Sequence, residues 1–168
     1  ERLVSILQNH NSNYDIDAFQ AIFKKLETMT DKGPYTSQVG EDDTDLKDTA
    51  YRVLADHART LTFAIADGAI PNNEGRGYVL RRILRRATRY GQQILNCEPG
   101  FFAKLVPTVV ETFGGAYPEL VKQQDAVLAV IEEEESAFSS MLNRGIKFFD
   151  EELKGKNDLV VPGDKAFY

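Results

Sequence analysis

Six arginines fall between positions 76 and 89, and no acidic residue interrupts them. Within Tyr78-Val79-Leu80-Arg81-Arg82-Ile83-Leu84-Arg85-Arg86-Ala87-Thr88-Arg89-Tyr90, arginine pairs alternate with apolar pairs. That is the period of a helix. At about 100° per residue, Arg81, Arg82, Arg85, Arg86 and Arg89 lie inside an arc of about 140°. Val79, Leu80, Ile83, Leu84, Ala87, Tyr90 and Ile94 take the opposite side. The spacing predicts one helix with an apolar face for a core and a guanidinium face for solvent. Planar guanidinium forks donate paired, charge-assisted hydrogen bonds to phosphate oxygens. No Asp or Glu within the helix offsets their mutual repulsion, so an anionic partner is favoured over a solvated charged face. A stripe two turns long matches several adjacent phosphates better than one small ligand. The P-loop signature is absent, and the favoured partner is a polynucleotide backbone. With Arg76 just upstream, these arginines are the candidate RNA-binding set.

Backbone contacts carry no sequence information of their own. Immediately before the helix stands Pro71-Asn72-Asn73-Glu74-Gly75-Arg76-Gly77. An asparagine amide both donates to and accepts from a base edge, and asparagine is equally an ordinary turn residue between proline and glycine. On the residues alone, both readings stand for Asn72 and Asn73.

Other chemistry is thin. His10 and His57 lack any paired metal-ligand spacing, so no metal site is expected. His57 reads as a satisfied structural histidine. Cys97 is the single cysteine; it fits a small buried apolar residue and a reducing compartment, with no disulfide framework. The four glutamates at 132–135 read as a solvated helix face. No catalytic constellation assembles.

The elements that would position the arginines are helical nearly throughout. A short helix starts near Asp15 or Asp17 and carries Ile16, Phe19, Ile22, Phe23 and Leu26 on one face. Residues 29–45 are polar and read as a surface loop. A second helix spans about 46–66, with Gly68 placed to end it and Pro71 to bar continuation. The arginine helix reaches about Leu95, a fourth spans 100–113, and a long final helix runs from Pro118 to about Leu153. Its apolar positions, Val127, Ile131, Phe138, Leu142, Ile146, Phe149 and Leu153, predict one packed face. Residues 159–161 read as a short extended segment. The expected fold class is all-α, an irregular bundle of about five helices.

The 168 residues suit one domain, or one domain with part of a neighbour. No run approaches a membrane span, and no signal peptide is seen. A start at Glu1-Arg2 without methionine and an end at Phe167-Tyr168 read as a segment of something longer. Net charge is −6, but the basic stretch leaves −12 on the remainder. A focused basic stripe on an acidic body sets the local field whatever the total charge.

Three strings carry a family resemblance: Tyr51-Arg52-Val53-Leu54-Ala55-Asp56-His57, then Ile65-Ala66-Asp67-Gly68, then the run from Pro71 through Asn73, Arg76-Gly77-Tyr78-Val79-Leu80-Arg81-Arg82 to Ala87. Together they resemble the alanyl-tRNA synthetases. The likeness extends upstream through Asn13-Tyr14-Asp15-Ile16-Asp17 and downstream through Glu135-Ser136-Ala137-Phe138; residues 29–45 match least well. It implies a class II ligase that activates alanine with ATP and Mg²⁺ and transfers it to tRNA. It implies that residues 1–12 close class II motif 3, with Arg2 at the ATP-phosphate position. Residues 13–168 would be the middle helical domain that grips the acceptor stem. The family's zinc-binding editing site would lie outside this stretch. The partner implied is alanine tRNA, read at a guanine–uracil wobble in the acceptor stem, with no DNA and no membrane. Asn73 takes the place of the asparagine that accepts from the wobble guanine's 2-amino group in the shallow minor groove. A cytoplasmic or organellar parent is expected, and no catalysis from these residues alone. The competing class is a basic-faced helical module for an acidic protein partner or for RNA in general.

Overall fold

A computed structural model describes residues 1–154 and Gly163. Among the described residues the chain is all-α, with α1 (Arg2–Leu7), α2 (Asp17–Glu27), α3 (Lys47–Ala66), α4 (Gly75–Gln93), α5 (Val106–Phe113) and α6 (Pro118–Leu153). Single 3₁₀ turns at Asn13–Asp15, Gly40–Asp42 and Ala103–Leu105 link them. Helices α3 and α6 begin and end within about one residue of their expected places, α2 starts at Asp17 as expected, and α4 begins at Gly75, inside the loop expected to precede it, and ends at Gln93. The helix expected at 100–113 is instead a 3₁₀ turn followed by α5. The extended segment expected at 159–161 lies outside the described residues. None of the described helices is long and apolar enough to cross a membrane.

Helix α3 is the axis of the bundle, packing against α2, α4, α5 and α6. Its small and large apolar residues alternate by turn: Ala50, Leu54, Ala58 and Leu61 are buried, as are Tyr51 and Ala55. Small residues let neighbouring helices approach closely while the leucines fill the gaps between them. Helix α2 lays Phe19, Ile22, Phe23 and Leu26 into this core. Helix α4 contributes Leu80, Leu84 and Ala87. Helix α6 contributes Leu120, Val127 and Ile131.

One feature differs from the sequence expectation and another adds to it. The α6 stripe loosens beyond Ser139: among the described residues Leu142 and Leu153 are half-buried, and Ile146 and Phe149 are exposed. At 36 residues the helix is about 54 Å long at 1.5 Å per residue, more than the rest of the bundle covers. The polar stretch at 29–45 lies largely at the surface, as expected, and is tied down there by buried carboxylates. Buried Asp48 accepts hydrogen bonds from the Thr36 N–H (3.1 Å), the Thr36 hydroxyl (2.9 Å) and the Gln38 N–H (2.6 Å). Buried Asp43 accepts from the N–H groups of Asp48 and Thr49, capping the first turn of α3. Burial works against its charge, yet the hydrogen bonds from Thr49 and Asp48 and the Arg52 guanidinium hold its carboxyl below the usual range. Short polar side chains that satisfy first-turn N–H groups set where a helix begins.

Candidate nucleic-acid interface

Helix α4 is placed by its own buried arc. Leu80, Leu84, Ala87, Thr88 and Gly91 are buried, a run of i, i+3 and i+4 steps. This arc is narrower than expected: Val79 is 55% exposed, and Tyr90 and Ile94 are half-buried. Thr88 takes a core position that the sequence pattern left unassigned. Its Oγ1 is buried and has no hydrogen-bond partner.

The entry to α4 is a close approach of backbones. A Cβ at Gly77 would fall on the Ile70 carbonyl oxygen and the Asn72 side chain, well inside van der Waals contact. Glycine at this position lets the first turn lie against the preceding loop. The Asn72 carbonyl accepts from the Glu74 N–H at 2.9 Å, a local turn bond of the kind asparagine favours. Asn72 is therefore engaged as a turn residue. Its neighbour Asn73 is exposed and uses its side chain across the loop, where its Oδ1 accepts from Nη1 of Arg81. A cleft of about 370 Å³ opens beside this loop, lined by Asp67, Ile70, Asn72, Glu74 and Arg76.

The arginines divide into two groups. Arg82, Arg86 and Arg89 are exposed and lie on one line, with exposed Arg76 at the helix entry. Arg82 lies over the Tyr78 ring and Arg86 over the Tyr90 ring, with guanidinium carbons 5.9 and 5.6 Å from the centroids. The Nε of Arg89 donates to Oε1 of Gln93 at 3.0 Å. Among the described residues, no carboxylate pairs with any of these four. The second group, Arg81 and Arg85, turns toward α6. Arg81 makes a two-pronged pair with Glu134, its Nε 2.9 Å from Oε2 and its Nη2 on Oε1. The Glu134 hydrogen bonds raise the Arg81 pKa above its ordinary value. Arg85 is half-buried, packs over Phe138 at 5.5 Å, and keeps a buried Nε without a partner.

The glutamates at 132–135 are thus not one solvated face. Glu132 and Glu133 are exposed, Glu134 binds Arg81, and Glu135 is fully buried. The carboxylate of Glu135 accepts from the N–H groups of Gly100, Phe102 and Ala103, each at 3.1 Å. Burial raises its pKa, and the three N–H donors oppose that rise. The spacing along α6 carries a signal for Glu135, which stands four residues after Ile131 and three before Phe138 on the packed face; the pairing of Glu134 with Arg81 depends on where α4 lies.

His57, on α3, also departs from expectation, because its Nε2 is buried without a hydrogen-bond partner. Burial, with the charge of Arg86 nearby, pushes its pKa down to about 4. Arg2 is exposed at the start of the short helix α1. Among the described residues, no group of three or more His, Cys, Asp or Glu could hold a metal ion.

The whole chain, residues 1–168, matches the family model described as tRNA synthetases class II (A). The chain belongs to that family. It is 54% identical over 99% of its length to "Alanine--tRNA ligase, cytoplasmic" of Bombyx mori. It is 51% identical over 89% of its length to "Alanine--tRNA ligase, mitochondrial" of Saccharomyces cerevisiae, and 46% identical over 99% to "Alanine--tRNA ligase" of Porphyromonas gingivalis. These matches cover 17%, 15% and 19% of the three relatives, so the chain spans about a sixth of their length. Within this class II synthetase chain, the described elements are all helical. They bring together Asn73, Arg81 and Glu134 at one end of α4, and the exposed arginines along its outer face.

Proposed function

We propose that this chain is the acceptor-stem-binding part of an alanine–tRNA ligase working in the cytoplasm. The observation that carries the reading is the outer face of α4, where Arg82, Arg86 and Arg89, with Arg76 at the entry, have no carboxylate partner among the described residues. Like charges aligned in this way cost stability unless an anion compensates, and the phosphates of an RNA backbone supply that anion. Family membership and the alanine–tRNA ligase relatives support tRNA as the polyanion. Arg85, half-buried at the edge of the stripe, steers the same backbone from behind. Arg81 acts on Asn73.

In this reading Asn73, exposed at the head of the arginine face, meets the shallow minor groove of the acceptor stem. Its carbonyl has two lone pairs, and the one not engaged by Arg81 accepts from the unpaired 2-amino group of a wobble guanine. Phosphate contacts set the register and Asn73 reads the pair. Residues 13–168 form this recognition domain. Residues 1–12 belong with the catalytic domain, a reading supported by α1, whose Leu3, Ile6 and Leu7 are 77%, 74% and 84% exposed and are available to cover a neighbour.

ATP and Mg²⁺ would serve alanine activation in the complete ligase. Arg2, which the resemblance puts at the ATP phosphate, is exposed on the short helix α1, and in this reading the rest of the activation site lies in other parts of the protein.

The test is aminoacylation and binding by the full-length ligase carrying Asn73→Ala, with alanine tRNA and with a variant whose wobble is replaced by guanine–cytosine. Loss of the preference for the wobble, by about 1–3 kcal/mol of discrimination, is expected from one base-edge hydrogen bond. Asn72→Ala should act as a mild turn perturbation on both tRNAs alike. Equal losses on both tRNAs for Asn73→Ala would refute base reading by this residue.

A further inference from the structure

From the contacts of Arg81 we infer that Arg81 and Glu134 together are a positioning device for Asn73, fixing which end of its amide faces an incoming base. The inference rests on Asn73 as the base reader proposed above, and adds what makes it one.

An exposed loop asparagine is a poor reader by itself. Its side chain rotates, and a turn of the amide exchanges an acceptor for two donors. Discrimination between a guanine 2-amino group and a base edge without one requires an amide of fixed polarity. Here Nη1 of Arg81 donates to Oδ1 of Asn73. A guanidinium has only donors, so it holds the carbonyl end and rejects the amino end. Arg81 is itself immobilised. Its Nε and Nη2 close a fork on the two oxygens of Glu134, and the two side chains are 17% and 18% exposed. Bidentate Arg–carboxylate pairs add geometric definition as well as energy. Glu134 lies in the middle of α6, 53 residues away in sequence, and Ile131 and Glu135 beside it are fully buried. The path from the core to the loop is therefore continuous: α6, Glu134, Arg81, Asn73.

The device predicts a division of labour among arginines that look alike in the sequence. Arg82, Arg86 and Arg89 grip the backbone of any RNA. Arg81, with Nε, Nη1 and Nη2 all engaged inside the chain, has little left for phosphate and acts on selectivity.

The experiment uses the full-length ligase with alanine tRNA and its guanine–cytosine variant, comparing Arg81→Lys, Glu134→Gln, Asn73→Ala and the double variant Asn73→Ala/Arg81→Lys. Arg81→Lys keeps the charge and loses the fork. Glu134→Gln keeps the shape, loses the ion pair, and touches no RNA in this reading. Each is expected to lower the preference for the wobble-bearing tRNA by about 5- to 20-fold, part of what a base-edge contact supplies. Binding to the guanine–cytosine tRNA and the salt dependence of binding should stay near wild type. The double variant should lose no more selectivity than Asn73→Ala alone, since the two residues act as one unit. Uniform weakening on both tRNAs by Arg81→Lys, with a shallower salt slope, would make Arg81 a backbone contact and overturn the inference. If Asn73→Ala abolishes selectivity while Arg81→Lys and Glu134→Gln leave it intact, positioning fails and base reading survives. If Asn73→Ala leaves selectivity intact, both fail together.

Discussion

Individual side chains in this protein owe their behaviour to neighbours far away in sequence. His57 shows it most simply. Its imidazole, with Nε2 buried and Arg86 nearby, holds a pKa pushed down to about 4, against about 6.5 when unfolded. A histidine whose folded pKa is depressed binds its proton more readily in the unfolded chain. Its contribution is fully present above pH 6.5 and is lost as pH falls from there toward 4. NMR titration should place the His57 midpoint near 4. Urea unfolding should show stability falling as pH drops from about 6.5 to about 4.5, with a smaller fall in His57→Gln; a midpoint near 6.5 would contradict the burial. Gly77 is a second case. A methyl group there meets a backbone oxygen and a side chain that is itself engaged in a turn, and neither can yield without moving the start of α4. Gly77→Ala should cost about 1–3 kcal/mol of unfolding free energy by denaturant titration, in the range of overpacking elsewhere.

Apolar faces join the helices here, and buried carboxylates tie the intervening turns to them. Glu135 satisfies three N–H groups of the turn between α4 and α5 from a position on α6. Glu135→Ala would leave those donors buried and unpaired and open a cavity. The expected loss is about 3–5 kcal/mol, much larger than for Glu133→Ala on the exposed side, measured by thermal or urea unfolding. Equal losses for the two would contradict the burial. The helices themselves were legible in the sequence because their apolar positions recur every three or four residues and because Gly68, Pro71 and Pro118 mark ends. Periodicity reports which residues share a face, but not which face meets which. That is why Arg81 and Arg82, adjacent in the sequence and on one arc, meet different partners once α6 lies along one side of α4. For the same reason Glu134 looked like solvated charge; Glu135 was legible, since it stands on the face of Ile131 and Phe138, but a carboxylate within a run of four glutamates reads as solvated. The loop at 29–45 hid its order because Asp43 and Asp48 act through hydrogen bonds to N–H groups several residues away, a pattern with no short signature. On α6, the apolar stripe beyond Ser139 followed the rule for a packed helix, yet the bundle ends before the helix does.

At the scale of the whole molecule, the proposed reading separates gripping from chemistry. The charge is divided between an acidic body and a basic helix face, so long-range attraction is directed at α4. In the proposed reading the activating residues lie in other parts of the ligase, so the chain by itself is expected to give no alanine-dependent pyrophosphate exchange; exchange by pure protein would show that they are present within it. The central claim is that the outer face of α4 holds an RNA backbone, and the most direct measurement is the salt dependence of tRNA binding. Replacing Arg82, Arg86 and Arg89 together by glutamine should reduce the slope of log K against log salt by about 2 to 3, at about 0.7 to 0.9 for each phosphate that is no longer neutralised. Circular dichroism should stay near wild type, since these side chains are exposed, and the unfolding midpoint should hold or rise as their mutual repulsion is removed. An unchanged slope in the folded triple variant would mean that the stripe is a solvated surface and that RNA, if bound, is held elsewhere.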